Sequence, residues 1–227
     1  MKFIFFVIMI CSFFSGCGVG VKGRVYNNIS EMVEFVVVGS DDKMAVSLMC
    51  GTREVDYKID GISTEPVPYG VLTLSVIEAI SSTTKVDYVL FVGTNKYQGE
   101  FQKNPYDATW VADIKKIVDK KDNISIDIFI AGEKTALKLK TIDYDWVVEP
   151  RGIVDILVKE YKAELKELIS GGVFEGEVYI KLVNDNPTLL SRYYYYVSVV
   201  DRKGGSFNLL ISPTTKDILA SNNMLLD

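Results

Sequence analysis

Between about residue 33 and residue 140, apolar and polar side chains alternate with a period of two, the spacing of strands that bury one face. Residues 34–38 make a short apolar run closed by Gly39-Ser40-Asp41-Asp42, and a second run follows at 44–48. Residues 54–60 alternate cleanly and stop at the turn pair Asp60-Gly61. Further strands are expected at 71–76, 86–92, 96–101, 110–114, 124–128 and 136–140. Gly93-Thr94-Asn95 and Gly132-Glu133-Lys134 supply hairpin turns between them. So many short strands separated by turn signals predict an antiparallel, immunoglobulin-like β-sandwich over residues 31–145. The Cys–Trp–Cys core of antibody domains is missing, so the expectation concerns architecture alone.

After Pro150 the period changes. Val154, Leu157, Val158, Tyr161, Leu165 and Leu168 recur at three- and four-residue steps, with Lys159, Lys162, Glu164, Lys166 and Glu167 on the other side. This predicts a helix over 153–169, stopped by Gly171-Gly172. Strands follow at 177–183, 193–200, 207–211 and 217–220, with Asp201-Arg202-Lys203-Gly204-Gly205 as a hairpin loop. A helix laid across antiparallel strands makes a two-layer α+β unit, here residues 146–227, with the seam near Pro150. The expected fold class is therefore mainly β, then α+β.

The N-terminus has its own pattern. One cation (Lys2), a short apolar run at 3–10 and a small-residue exit form an export signal. The run is too short to span a bilayer, which takes about 20 residues. Ser15-Gly16-Cys17 resembles the lipobox of bacterial lipoproteins, with Phe14 where an aliphatic residue is usual. The resemblance implies a signal peptide at 1–16 and a lipid on Cys17, followed by a tether to residue 30. It places the protein on the extracytoplasmic face of a bacterial cell membrane. Cys11 leaves with the signal, and Cys50, ending the apolar run 44–50, reads as a buried thiol. Gly18-Val19-Gly20-Val21-Lys22-Gly23 matches the dinucleotide-loop pattern G-x-G-x-x-G but lacks a preceding strand and a βαβ unit. It is read as part of a flexible tether.

A second resemblance lies near the C-terminus. The run Tyr195-Tyr196-Val197-Ser198-Val199-Val200, the Gly204-Gly205 turn, Asn208-Leu209-Leu210-Ile211 and Ser212-Pro213-Thr214-Thr215-Lys216-Asp217-Ile218-Leu219 resemble the end of PepSY-type or cystatin-like domains. Thr215, Ile218 and Leu219 match; Ser212 stands in place of an aspartate and Lys216 in place of a glycine. The resemblance implies a cystatin-like helix-on-sheet domain without catalysis, of a kind associated in some relatives with restraining peptidases.

Composition narrows the chemistry. The 227 residues contain no histidine, which excludes Ser-His and Cys-His nucleophile pairs and HExxH zinc sites. A net charge of -5 without a basic block argues against nucleic acid. Ser82-Thr83-Thr84-Lys85 matches S-x-x-K, but the accompanying SDN and KTG elements are absent, so the segment reads as a loop. Asp119-Lys120-Lys121-Asp122-Asn123 and Asn184-Asp185-Asn186 are rich in oxygen ligands without calcium-loop spacing. Neither a metal nor a cofactor is expected. The sequons at Asn28 and Asn123 are read as incidental.

Tyr193-Tyr194-Tyr195-Tyr196 is the most unusual run. On a strand two of these rings face the helix and two face away, so they pack a core and offer a candidate interaction surface. Trp110, Tyr144 and Trp146 carry the same pair of readings. The expected function is a lipid-anchored, non-catalytic binding module for a protein, peptide or cell-wall component, peptidase modulation being one form of it. The alternative is a carboxylate-dependent envelope hydrolase, which requires two or three Asp or Glu converging with raised pKa values.

Overall fold

Phe35-Val36-Val37-Val38 is an unbroken apolar run, and such a run suits a strand covered on both faces. It belongs to β1 (Ile29–Ser40), longer than the expected strand. A computed structural model describes residues 20–56, 58–114, 123–142, 145–184 and 192–224. In it β1 serves two cores at once: Phe35 and Val37 face one, Val33 and Val36 the other.

The first core is enclosed by β1, β2 (Met44–Glu54), β3 (Pro66–Val76), β4 (Val86–Val92), β5 (Asn95–Lys103), β6 (Trp110–Ile114), β7 (Ile124–Ile130) and β8 (Glu133–Thr141). They pair antiparallel in the order β1-β2-β3-β6-β5-β4-β7-β8, and β8 returns to β1 through Val37↔Thr141 and Val38↔Lys140. The strands thus close into a barrel-like sheet, where an open immunoglobulin-like sandwich was expected. Alternation tells each side chain which face to bury but not which strand lies beside it. The closure rests on two short corners, the β8–β1 contact and Gln102↔Val111 with Lys103↔Trp110 between β5 and β6. An eight-stranded barrel is just wide enough to be filled by its own side chains. Leu48, Leu72, Leu74, Leu90, Ile126 and Ile128 fill this one, and Tyr88 tilts against Phe101 at 5.1 Å. Trp110 is buried here too. Cys50 lies in the same core, where burial, aided by the nearby Glu34 charge, pushes its thiol up to about 12.

Two expected segments differ. Among the described residues, the strand expected at 54–60 does not continue past β2, which ends at Glu54, and Val55 and Ile59 are 72% and 61% exposed. The alternation there is real but finds no partner strand. The proposed tether instead contains α1 (Val21–Tyr26), which buries Val25. Lys22 pairs with Asp155, the Tyr26 hydroxyl donates to the Arg151 carbonyl at 2.6 Å, and Asn28 Nδ2 donates to the Arg24 carbonyl at 2.8 Å. The signal peptide, Cys17, Asp119 to Asp122 and Tyr144 lie outside the described residues.

The second core lies under α2 (Pro150–Glu160) and α3 (Lys162–Glu167). Together they cover the single helix expected at 153–169. The break falls at Tyr161, whose ring stacks on Phe207 with centroids 5.4 Å apart. A small hairpin, β9 (Ile169–Ser170) and β10 (Val173–Phe174), turns at Gly171-Gly172. Then β11 (Gly176–Asn184), β12 (Tyr193–Asp201), β13 (Ser206–Ile211) and β14 (Ile218–Met224) run antiparallel. Ile153, Val154 and Leu157 pack with Leu165 onto Val178, Ile180, Tyr195, Val197 and Val199. β11 also pairs in parallel with the first part of β1, so one twelve-stranded sheet continues from barrel to α+β layer. No helix among the described residues is long and apolar enough to cross a membrane.

Candidate functional site

The tyrosine run splits as strand geometry demands. Tyr195 points into the helix-covered core and is fully buried. Tyr193, on the same side at the strand's start, is half-buried, and burial raises its phenol above the ordinary value against an opposing hydrogen bond from Asn184. Tyr194 and Tyr196 lie half-buried on the opposite face, and the Tyr196 hydroxyl donates to Asn208 Oδ1 at 2.8 Å.

Tyr193 and Tyr194 line a groove of about 670 Å³ between the β1–β8 corner of the barrel and the β13–β14 turn. Trp146 and Arg192 line it as well, with Thr141 and Val38 on the barrel side. The wall is held from behind. Trp146 meets Tyr195 edge-on with centroids 5.5 Å apart, and the Val147 N–H donates to the Pro213 carbonyl at 2.9 Å. The turn itself is self-tied: the Thr215 N–H donates to Ser212 Oγ at 3.2 Å, and the Ser212 N–H to the Asp217 carbonyl at 2.9 Å. Lys216, standing where the resembled family carries glycine, has φ +68, a left-handed conformation that favours glycine. Aromatic planes beside an exposed guanidinium and a rim of hydroxyls suit an extended ligand with both apolar and polar surface. The run therefore divides: Tyr193 and Tyr194 reach the groove, Tyr195 supports it, and Tyr196 lies outside its lining.

A second constellation was not foreseen. Glu31, Glu54 and Glu177, from three different strands, are all buried where β1 meets β11. Glu31 is neutralised, receiving the Tyr69 hydroxyl at 2.8 Å and Lys181 Nζ at 3.1 Å. Glu54 Oε1 accepts the Thr64 N–H at 2.5 Å. Glu177 is completely buried beneath residues 58–61, which lie against β11 and the β12–β13 turn as a strap. Its Oε1 accepts the Asp60 N–H at 3.1 Å and contacts the Tyr179 hydroxyl, and Ser30 Oγ donates to Oε2 at 3.4 Å. Gly61 fits the strap to the β12–β13 turn: its φ is +75, and a Cβ there would sit 2.5 Å from Arg202 N.

No cation among the described residues pairs with Glu177, and burial raises its pKa, with Glu54 and Asp60 adding to the effect. Hydrogen bonds from the Tyr179 hydroxyl and the Gly61 backbone oppose this rise, and burial outweighs them. Tyr179 has one hydroxyl proton, and its oxygen lies 2.9 Å from the Lys58 carbonyl as well as against Glu177. If that proton goes to the carbonyl, Glu177 must carry its own and donate it to the tyrosine. A carboxyl with a raised folded pKa binds more protons in the native state. Its contribution is therefore complete below the unfolded value and is lost as pH rises through the folded one. We expect Glu177→Gln to keep the protonated pattern and to flatten the decline in stability above about pH 4.5. Urea unfolding of both proteins at pH 5 and pH 7 measures this; a variant weaker than wild type at pH 7 would mean that the strap holds the ionised form. Among the described residues no group of three or more Cys, Asp or Glu side chains is placed to hold a metal ion.

Ser82-Thr83-Thr84-Lys85 lies in a surface turn, with Lys85 Nζ 2.8 Å from Asp87 Oδ2 and the Thr84 N–H donating to the Ser81 carbonyl. Compared with protein-family models, with curated proteins and with solved structures, the chain matches none. Sequence reasoning missed Glu177 because a strand-end glutamate looks like any solvated charge. The trace it left was the alternation at 54–60, which marked an ordered segment without revealing what it covers.

Proposed function

We propose that this protein is a non-catalytic binding module held on the extracytoplasmic face of a bacterial cell membrane by a lipid on Cys17. Its ligand is a protein, a peptide or a cell-wall component, taken up in the groove walled by Trp146, Tyr193 and Tyr194. The observation that carries this reading is the groove itself: about 670 Å³ of concave surface with aromatic walls, whose lining also carries Arg192, Asp145 and Asp217. The lipobox-like Ser15-Gly16-Cys17 supports the anchor. Helices followed by four antiparallel strands support a PepSY/cystatin-like reading of the second half, and with it a role in modulating a peptidase.

The chain has two tryptophans, and Trp110 is buried in the barrel, so Trp110→Phe leaves Trp146 as a reporter inside the groove. Titration with soluble peptidoglycan fragments and with unstructured peptides is expected to change its emission saturably, and Tyr194→Ala to abolish the change. If neither ligand class moves the signal, the groove is not the binding site. Cys17→Ala is expected to release the protein from the membrane fraction; unchanged fractionation would refute the anchor. The hydrolase alternative draws on Glu177. It requires Glu177→Gln to abolish a hydrolytic activity, whereas on the binding reading that variant leaves ligand affinity intact.

A further inference from the structure

Apolar side chains and cations meet at one end of the second sheet. In the strap, the Lys58 carbonyl lies 2.9 Å from the Tyr179 hydroxyl, and the Asp60 N–H donates to Glu177. Backbone on both sides of Ile59 therefore faces inward and leaves its side chain exposed; Ile62, just past Gly61, is 51% exposed. Contacts continue across this end. Gly61 lies against Asp201 and Arg202 of the β12–β13 turn, and Arg202 reaches Glu175 at 3.9 Å. In the β9–β10 hairpin Gly172 lies beside the Arg24 guanidinium, and Val173 is 57% exposed. Exposed Lys58, Arg202 and Lys203 stand among these apolar tips. Of the carboxylates here, Glu175 is engaged by Arg202 and Asp60 accepts the Ile62 N–H at 3.0 Å, while Asp56 and Glu65 fall outside 58–62.

The chain also brings this end close to Cys17. Three peptide steps separate Cys17 from Gly20, a reach of at most about 10 Å. The Gly20 carbonyl accepts the Arg24 N–H at 3.1 Å in the first turn of α1. A lipid on Cys17 thus enters the bilayer within roughly 20 Å of Arg24 and the hairpin beside it. We propose that Ile59, Ile62 and Val173, with Lys58, Arg202 and Lys203 around them, form a docking face for the lipid surface that carries the anchor. This docking rests on the reading of Cys17 as lipidated. The apolar tips enter the interfacial layer, and the cationic side chains lay their stems along it with their charges among the headgroups. Three apolar tips are too few to hold a protein on a membrane alone; with the anchor keeping them at high local concentration, they set its orientation. β12 runs from Tyr193 at the ligand groove to Asp201 at the docked turn, roughly 25 Å. The groove is therefore held off the bilayer, open to ligands outside the cell.

A thiol-linked fluorophore reads the contact. Cys50 is buried and its thiol is pushed up to about 12, so at neutral pH a thiol reagent labels only an introduced cysteine once Cys11 has left and Cys17 carries lipid. Ile59→Cys and Val173→Cys report on the face. Tyr106→Cys is the control: Tyr106 is 93% exposed in the loop before Trp110, which pairs with Leu74 roughly 25 Å along β3 from Pro66. All three positions are exposed, and thermal unfolding matching wild type confirms each fold. The full chain, exported and processed by a bacterial host, is reconstituted into phosphatidylethanolamine–phosphatidylglycerol vesicles with or without nitroxide-labelled acyl chains. The nitroxide is expected to cut emission at least about twofold at positions 59 and 173 and to leave position 106 unchanged. Protein that floats with the vesicles but is quenched no more at 59 and 173 than at 106 overturns the docking face and leaves the anchor standing; those tips then meet something other than lipid. Protein that does not float refutes the lipid on Cys17 and the docking with it.

Discussion

Tyr195→Ala is expected to destabilise the protein by about 3–5 kcal/mol, the range for removing a large buried aromatic ring. For a chain of this size that corresponds to a fall in Tm of roughly 10 °C or more. Tyr195 is fully buried between the helices and β12, and Trp146 leans on its edge. Its loss opens a cavity and removes the backing of the groove wall together. Tyr195→Phe removes only a hydroxyl whose contact with the Val148 carbonyl is 3.4 Å long, and is expected to cost under about 1 kcal/mol. Tyr194→Ala, one residue away and half-exposed, is expected to leave stability within about 1 kcal/mol while removing ligand binding. Differential scanning calorimetry on the three variants checks the series. Equal losses at 194 and 195 would show that both rings serve the core and that the run presents no free face.

Gly51→Ala is the second large effect. Gly51 pairs with Val33 immediately before the register of β1 and β2 shifts, leaving Glu34 as the exposed extra residue. That bulge sits between Val33, which faces the helix-covered core, and Phe35, which faces the barrel. A Cβ at position 51 would lie 2.2 Å from the Met32 carbonyl oxygen and 2.9 Å from Val33 Cα. Both contacts are backbone, so no rotamer change relieves them, and the strands must separate at the point where the two cores divide. The expected cost is about 3 kcal/mol, the upper end of ordinary overpacking. Urea unfolding gives the measurement. A variant within about 0.5 kcal/mol of wild type would mean that the strand pair is loose at the bulge and does not couple the cores.

Both expectations turn on what alternation can and cannot specify. Punctuation located β4 and β6 to the residue, because each is a short, mostly apolar run bounded by turn or polar residues. The helix stripe 154, 157, 161 and 165 was legible because one side of the helix packs on a sheet. The separation of Tyr194 from Tyr195 also follows from a period of two. Residues 54–60 show the limit. Their alternation was as clean as that of β7, yet β2 ends at Glu54, Lys58 and Asp60 lie over Tyr179 and Glu177 as part of a strap, and Val55 and Ile59 are exposed.

By itself, then, the sequence determined most of the extended segments and the helical stripe after Pro150, which of their side chains turn inward, and that imidazole chemistry is absent. These are local matters of spacing and composition, readable a few residues at a time. Only the tertiary structure decided that β8 returns to β1, that β11 joins β1 in parallel, and that Glu177 lies buried under a loop more than a hundred residues earlier in the chain. Each depends on which distant backbone lies alongside, and hydrogen-bonding edges are alike in every strand. The groove has the same origin: Trp146 and Tyr194 are 48 positions apart in the chain and share a wall because the β13–β14 turn and the barrel corner close around them.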